Sequence, residues 1–316
     1  MSALADRVKN GDRRAGARLM RLVDDDDPRG LDALEALYRG ATAAAFIGVT
    51  GSPGTGKSTL VDALVGVFRA RGERVGVIAV DPSSPRTQGA ILGDRVRMQG
   101  RALDEGVFVR SLASRGQLGG LSASATMTAA VMEAMGFTRV IVETVGVGQA
   151  EVDIGRVADT TVLVLAPGLG DDVQAMKAGI MEVADLFVVN KADRDGAKET
   201  VRDVELTLRL LPQPEAAWER PVLQTIATTG EGVEQLTEAI LDHERFLAKT
   251  GEAEVRRASR ARLELEVALW RSVRAETLRR AGGEQELQEI AKKLALRQTD
   301  PVSEARRILE RLKRGL

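Results

Sequence analysis

The most specific chemistry in this chain lies in Gly51-Ser52-Pro53-Gly54-Thr55-Gly56-Lys57-Ser58, with Thr59 next in line. The stretch fits G-x-x-x-x-G-K-[ST], the phosphate-binding loop. There, glycines let successive backbone N–H groups turn toward phosphate oxygens, and the following helix presents its positive end to the same anion. In this reading Lys57 bridges the β- and γ-phosphates and the Ser58 hydroxyl ligates Mg²⁺. The plain alternative is a glycine-rich turn that ends in Lys-Ser. The flanks decide against it: Phe46-Ile47-Gly48-Val49-Thr50 reads as a short buried strand, and Thr59-Leu60-Val61-Asp62-Ala63-Leu64 opens an amphipathic helix.

Three further stretches extend this chemistry. Val80-Asp81-Pro82-Ser83-Ser84 closes a second strand and is followed by Leu92-Gly93-Asp94-Arg95; Asp81 and Asp94 would give a hydrated Mg²⁺ its hard oxygen partners. Glu143 ends the strand at 139–145 in Glu143-Thr144-Val145-Gly146-Val147-Gly148-Gln149. This is the position from which a carboxylate holds a metal-bound water or polarises the attacking one. The Gly146 N–H is placed for the γ-phosphate, and the segment after it should therefore sense GTP against GDP. Gln149 is a candidate for orienting water, which completes a catalytic set of Lys57, Glu143 and Gln149 with no evident general base. Slow turnover by the isolated chain is expected from that. Asn190-Lys191-Ala192-Asp193 follows a later strand. A carboxylate at Asp193 accepts from guanine N1–H and the 2-amino group, donors that adenine lacks; Lys191 can cover the base and Asn190 can tie the loop to the phosphate loop. The loop Thr225 to Gly232, through a backbone N–H near Ala227, can reach guanine O6.

The elements that must position these groups alternate. Short, nearly continuous apolar runs predict strands at 45–50, 74–81, 106–110, 139–145, 160–166, 185–190 and 222–227, with helices between most of them, as at 58–71, 121–135, 172–183 and 197–210. That is an α/β class with a doubly wound, mostly parallel sheet, whose ligands sit at the carboxyl ends of the strands. Residues 1–40 read as a helical extension broken at Asp27-Pro28, residues 41–248 as the phosphate-loop domain, and residues 249–316 as a helical region broken at Gly282-Gly283 and Asp300-Pro301. The last region is too charged to bury its apolar stripes alone, so it must pack on the main domain or, as favoured here, on a second copy of the chain. Trp270 is expected at that interface or in a core.

Composition narrows the rest. With 45 Lys+Arg against 46 Asp+Glu, no global field draws the 316-residue chain to nucleic acid or an acidic membrane. No apolar run is long enough to span a bilayer, and no signal core opens the chain, so the expected compartment is the cytoplasm. The absence of cysteine excludes disulfides and thiolate metal sites. The single histidine, His243, is expected as a solvated helix residue without chemistry.

Together these stretches resemble the MeaB-type G proteins, a family with the methylmalonic aciduria type A and ArgK proteins and a SIMIBI-type G domain. The resemblance rests on Gly51 to Thr59, Ala79 to Ser84, Ile91-Leu92-Gly93-Asp94, Arg97-Met98, Leu118-Gly119-Gly120, Glu143 to Gln149, Gly170 to Gln174, Lys177 and Asn190 to Asp193; Gly11-Asp12-Arg13-Arg14-Ala15 is similar to the family's amino-terminal region. It is dense over about 45–245, and it departs at Ser111 to Arg115, Ser122 to Thr126 and Glu151 to Ile154. It implies a GTP/GDP-binding, Mg²⁺-dependent GTPase with Ser58, Asp81, Asp94 and Glu143 around the metal. It also implies a switch loop with Asp171, Gln174 and Lys177, a homodimer built through the C-terminal helices, and an adenosylcobalamin-dependent methylmalonyl-CoA mutase as the partner whose cofactor loading is protected. Two other readings remain at this point: a maturation GTPase that delivers a metal, disfavoured by the lack of Cys and near-lack of His, and a small-molecule kinase on the same loop, as the ArgK label suggests.

Overall fold

The computed structural model describes residues 3–82, 101, 103–114, 120–144, 153–168, 178–211 and 217–314. The expectations at Asp94, Gly146, Gln149, Asp171, Gln174 and Lys177 lie outside these residues. Of Asp81, the backbone alone is described.

Seven strands form one sheet: β1 (Ala45–Thr50), β2 (Val75–Pro82), β3 (Val107–Ser114), β4 (Arg139–Thr144), β5 (Thr160–Leu165), β6 (Leu186–Asn190) and β7 (Val222–Thr225). Their order is β3-β2-β4-β1-β5-β6-β7, and every pairing is parallel. This is the doubly wound α/β class read from the sequence. β4 and β5 are buried at every residue, which is why their sequences run apolar without alternation. β3 runs four residues past the expected 106–110, because its register with β2 continues to Pro82 opposite Ser114.

The helices cover both faces. α4 (Lys57–Ala70) buries Leu60, Val61, Leu64, Val65 and Phe68 at helical spacing. It joins α8 (Val233–Thr250) over Ile47, Val49, Val162, Val164 and Val188. The alternate residues Leu163, Leu165, Phe187 and Val189 face the other way, onto α6 (Ala178–Val183) and α7 (Ala197–Leu210). The amino-terminal residues make α1 (Ala3–Lys9), α2 (Arg13–Asp24) and α3 (Pro28–Tyr38). Asp12 caps α2 by accepting from the Arg14 and Ala15 N–H groups, and Asp27 caps α3 with Pro28 behind it. These helices pack on α5 (Gly120–Ala134) and its end so closely that a methyl group at Gly16 would lie 2.3 Å from Met135 Sδ.

The chain divides into two compact units, Met1–Ala261 and Arg262–Leu316. The division falls within α9 (Glu252–Arg280). The second unit also holds α10 (Gly283–Ala295) and α11 (Pro301–Arg314), where Asp300 accepts from the Val302 and Ser303 N–H groups and Arg311 meets Glu286 at 3.6 Å. Trp270 is 56% exposed among the described residues. Among the described residues, no helix is long and apolar enough to cross a membrane.

His243 overturns its expectation. It is wholly buried on α8, with Nδ1 2.8 Å from Thr160 Oγ1, Nε2 3.4 Å from Asp185 Oδ1, and the Trp218 and Phe246 rings alongside. Its place in the stripe Leu236, Ile240, His243, Leu247 was the sequence signal for this. Burial pushes its pKa from 6.5 down to about 4, with Asp185 opposing and Arg256 reinforcing the shift.

Candidate nucleotide site

β1 lies in the middle of the sheet, so the loop leaving it emerges at the centre of the carboxyl edge, where doubly wound sheets bind ligands. That loop is Gly51 to Gly56, and its glycines answer to geometry. Gly51 has φ 139°, and a β-carbon there would stand 2.1 Å from Val164 O of β5; Gly56 has φ 92°, and a β-carbon there would stand 2.4 Å from Asn190 Nδ2. Any other residue would be strained and would push the loop off its neighbours.

Within the loop Thr55 is buried and its hydroxyl donates to Ser52 O at 2.9 Å, while Pro53, Gly54 and Thr59 are exposed. The Lys57 ammonium donates to Gly51 O at 2.7 Å and Ser52 O at 2.9 Å, which folds it over the loop. Ser58, the second residue of α4, donates from Oγ to Glu143 Oε1 at 2.6 Å, and both side chains are buried. Glu143 reaches Ser58 because β4 lies next to β1 with Val49 opposite Glu143. A hydroxyl and a carboxylate this close are hard oxygen donors suited to Mg²⁺. Asp81 is the last residue but one of β2, opposite Ala113 of β3 and one residue past the Val80–Thr144 pair.

The residues expected to read guanine converge from the other flank. Asn190 ends β6; its Nδ2 donates to Thr55 O at 2.8 Å, and its Oδ1 accepts from the Thr225 hydroxyl and the Ala227 N–H, each at 3.1 Å. One amide thus joins three loops. The Ala227 N–H, considered above for guanine O6, is directed at Asn190. Lys191 has φ 58°, an unusual conformation that lays its stem toward the phosphate loop, where Nζ donates to Gly54 O at 2.6 Å. Asp193 is exposed beyond it. Lys57, Ser58, Glu143, Asn190 and Lys191 are therefore brought together at one edge. The Thr225 hydroxyl, and a hydroxyl pair between Thr50 and Thr144 at 3.0 Å, were not singled out from sequence; threonines at strand ends are too common to stand out there.

A family model described as methylmalonyl-CoA mutase-associated GTPase MeaB matches residues 16–283. A Pyrococcus abyssi protein is 44% identical over 311 residues, which span 98% of this chain and 96% of its own. The GTPase ArgK of Escherichia coli is 39% identical over 78% of this chain and 76% of its own length. A mouse protein named methylmalonic aciduria type A homolog, mitochondrial, is 33% identical over 67% of this chain, but only 52% of the mouse protein is covered. A crystal structure titled LAO/AO transport system kinase is similar at a TM-score of 0.68 and 28% identity, over 98% of this chain and 96% of that one. With the family model covering most of its length, and with Asn190 and Lys191 meeting the loop after β1 at one edge, this chain belongs to the MeaB family of P-loop GTPases, which bind GTP and hydrolyse it to GDP and phosphate.

Proposed function

We propose that this GTPase couples its nucleotide state to cofactor loading and protection of an adenosylcobalamin-dependent methylmalonyl-CoA mutase. The observation that carries the reading is the match of residues 16–283 to a family described by its association with that mutase. The likeness to the methylmalonic aciduria type A homolog adds to it. A metal-delivery role has little to work with here. There is no cysteine, the one histidine is buried, and no group of three potential metal-ligating side chains occurs among the described residues.

At the site, the backbone of Gly51 to Thr59 would cradle the phosphates, Lys57 would leave its loop carbonyls for the β- and γ-phosphates, and Asp193 would read guanine. Ser58 and Glu143, with Asp81 and Asp94, would hold Mg²⁺. When bound, the ion supplies positive charge against the phosphate oxygens. Gly146 and Gln149 would serve the γ-phosphate and the attacking water. Asp171, Gln174 and Lys177 would carry the mutase's effect to the site. An apolar stripe on α9, where Leu265, Leu269, Trp270 and Val273 are all at least half exposed, supports a homodimer through the C-terminal helices.

The test is a GTPase assay with and without purified mutase. Mutase should raise turnover of the wild type by about tenfold or more, as partner-completed sites do. Lys177→Ala should keep basal hydrolysis and lose the stimulation. No stimulation of the wild type by mutase would sink the mutase assignment; full stimulation of Lys177→Ala would remove that residue from the coupling.

A further inference from the structure

Thr50 is the last residue of β1 before the phosphate loop, and Thr144 is the last residue of β4, directly after Glu143. Both are wholly buried, and Thr144 Oγ1 donates to Thr50 Oγ1 at 3.0 Å. The paired register of β4 with β1 ends at Glu143 opposite Val49, whereas its register with β2 continues to Thr144 opposite Val80. On the side of the phosphate loop, then, the hydroxyl contact extends the join of the two strands by one residue. Side chains alternate along a strand. The threonine pair therefore lies on one face, while Glu143, on the other, receives the Ser58 hydroxyl at 2.6 Å.

We propose that Thr144, bonded to Thr50, is a positioning residue for GTP hydrolysis. It holds the end of β4 against the end of β1, so that Glu143 meets Ser58 in fixed register where the chain leaves the sheet. The inference rests on the assignment of Ser58 and Glu143 to the metal side of the γ-phosphate and names what fixes them. The physical case is leverage: a carboxylate follows its own backbone, and a misplacement on the order of 1 Å costs about a hundredfold in rate. The bland alternative is a hydroxyl pair that only satisfies two buried polar groups. That would change stability and leave the kinetic constants alone.

The two are separated in the full-length protein with Thr144→Val, Thr144→Ser, Glu143→Gln and the double variant Thr144→Val/Glu143→Gln. The measurements are kcat and KM for GTP, affinity for GDP and for a non-hydrolysable GTP analogue with and without Mg²⁺, and Tm; Thr144→Ala serves if Thr144→Val does not fold. Thr144→Val should lower kcat about tenfold and weaken the Mg²⁺-dependent part of analogue binding. GDP affinity should stay within about threefold, because backbone groups hold the β-phosphate. Thr144→Ser should behave as wild type. In the Glu143→Gln background, Thr144→Val should cost less than about twofold more, since two changes on one linkage do not add. An unchanged kcat in Thr144→Val, an equal fall in GDP affinity, or the same fractional loss in the Gln background would each overturn the proposal. A wild-type rate for Glu143→Gln overturns it differently, by removing Glu143 itself from the site; that failure is distinct from a silent Thr144→Val beside a crippled Glu143→Gln.

Discussion

Under the proposed reading Asp193 offers the sharpest handle on this site, because one carboxylate would set the choice of base. Replacing it with Asn puts a donor opposite the guanine amino group. GTP affinity should fall by about a hundredfold or more, and affinity for xanthosine triphosphate should rise, since that base presents an acceptor at the same edge. Calorimetry with the two nucleotides checks this, and equal binding of ATP and GTP by the wild type would remove Asp193 from its role. Asn190 works differently. It need not touch the base, because its amide already joins Thr55, Thr225 and Ala227. Asn190→Ala should therefore weaken GDP and GTP alike by loosening all three loops.

At the scale of elements, the ends of β1, β5 and β6 opposite the nucleotide edge are tied to the start of α9 by charge. Arg260 donates to Asp159 Oδ1 at 2.8 Å and to Val157 O at 3.0 Å, with its guanidinium 4.0 Å from the Phe46 ring. Asp159 in turn accepts from the Phe46 N–H at 2.9 Å. Arg256 grips both oxygens of Asp185, at 2.8 and 2.9 Å. Arg260→Ala would leave the buried Asp159 charge without its counter-ion, and should cost about 3–5 kcal/mol in urea unfolding. His243 sits beside the same cluster, and its folded pKa of about 4 lies below its unfolded value of 6.5. The unfolded chain therefore binds the extra proton first, so stability is full above about pH 6.5 and is lost as pH falls toward 4. The loss reaches at most about 3 kcal/mol. Unfolding curves at pH 7.5, 5.5 and 4.5 should show it, and His243→Leu should flatten that part of the profile. A profile unchanged by the substitution would assign the acid sensitivity to other groups.

At the scale of the whole molecule, the exposed apolar residues of α9 bear on assembly. If the chain pairs through its C-terminal helices, Leu269→Glu with Val273→Glu should yield a monomer by light scattering, with GDP binding unchanged, because charges in a desolvated apolar contact are costly. A wild type that is already monomeric at tens of micromolar would dispose of the homodimer; an unaffected double variant would move the contact elsewhere.

Much of the fold and part of the candidate site were legible in the sequence, and for one reason: those features are written in local chemistry. The phosphate loop needs glycines at particular steps, strands buried on both faces must be continuously apolar, and a guanine reader needs its acid just past a strand, so Gly51 to Ser58, Val140 to Val142 and Asn190 to Asp193 declare themselves. Tertiary structure decided what depends on partners distant in the chain. His243 carried a polar name on an apolar stripe, and only the packing of Trp218, Thr160 and Asp185 around it made it a buried neutral group. The three-way bond of Asn190, the length of β3 and the contact of Thr144 with Thr50 likewise require neighbours from 32 to 135 residues away. Strand order, which no local pattern encodes, is what placed β4 beside β1 and so brought Glu143 to Ser58.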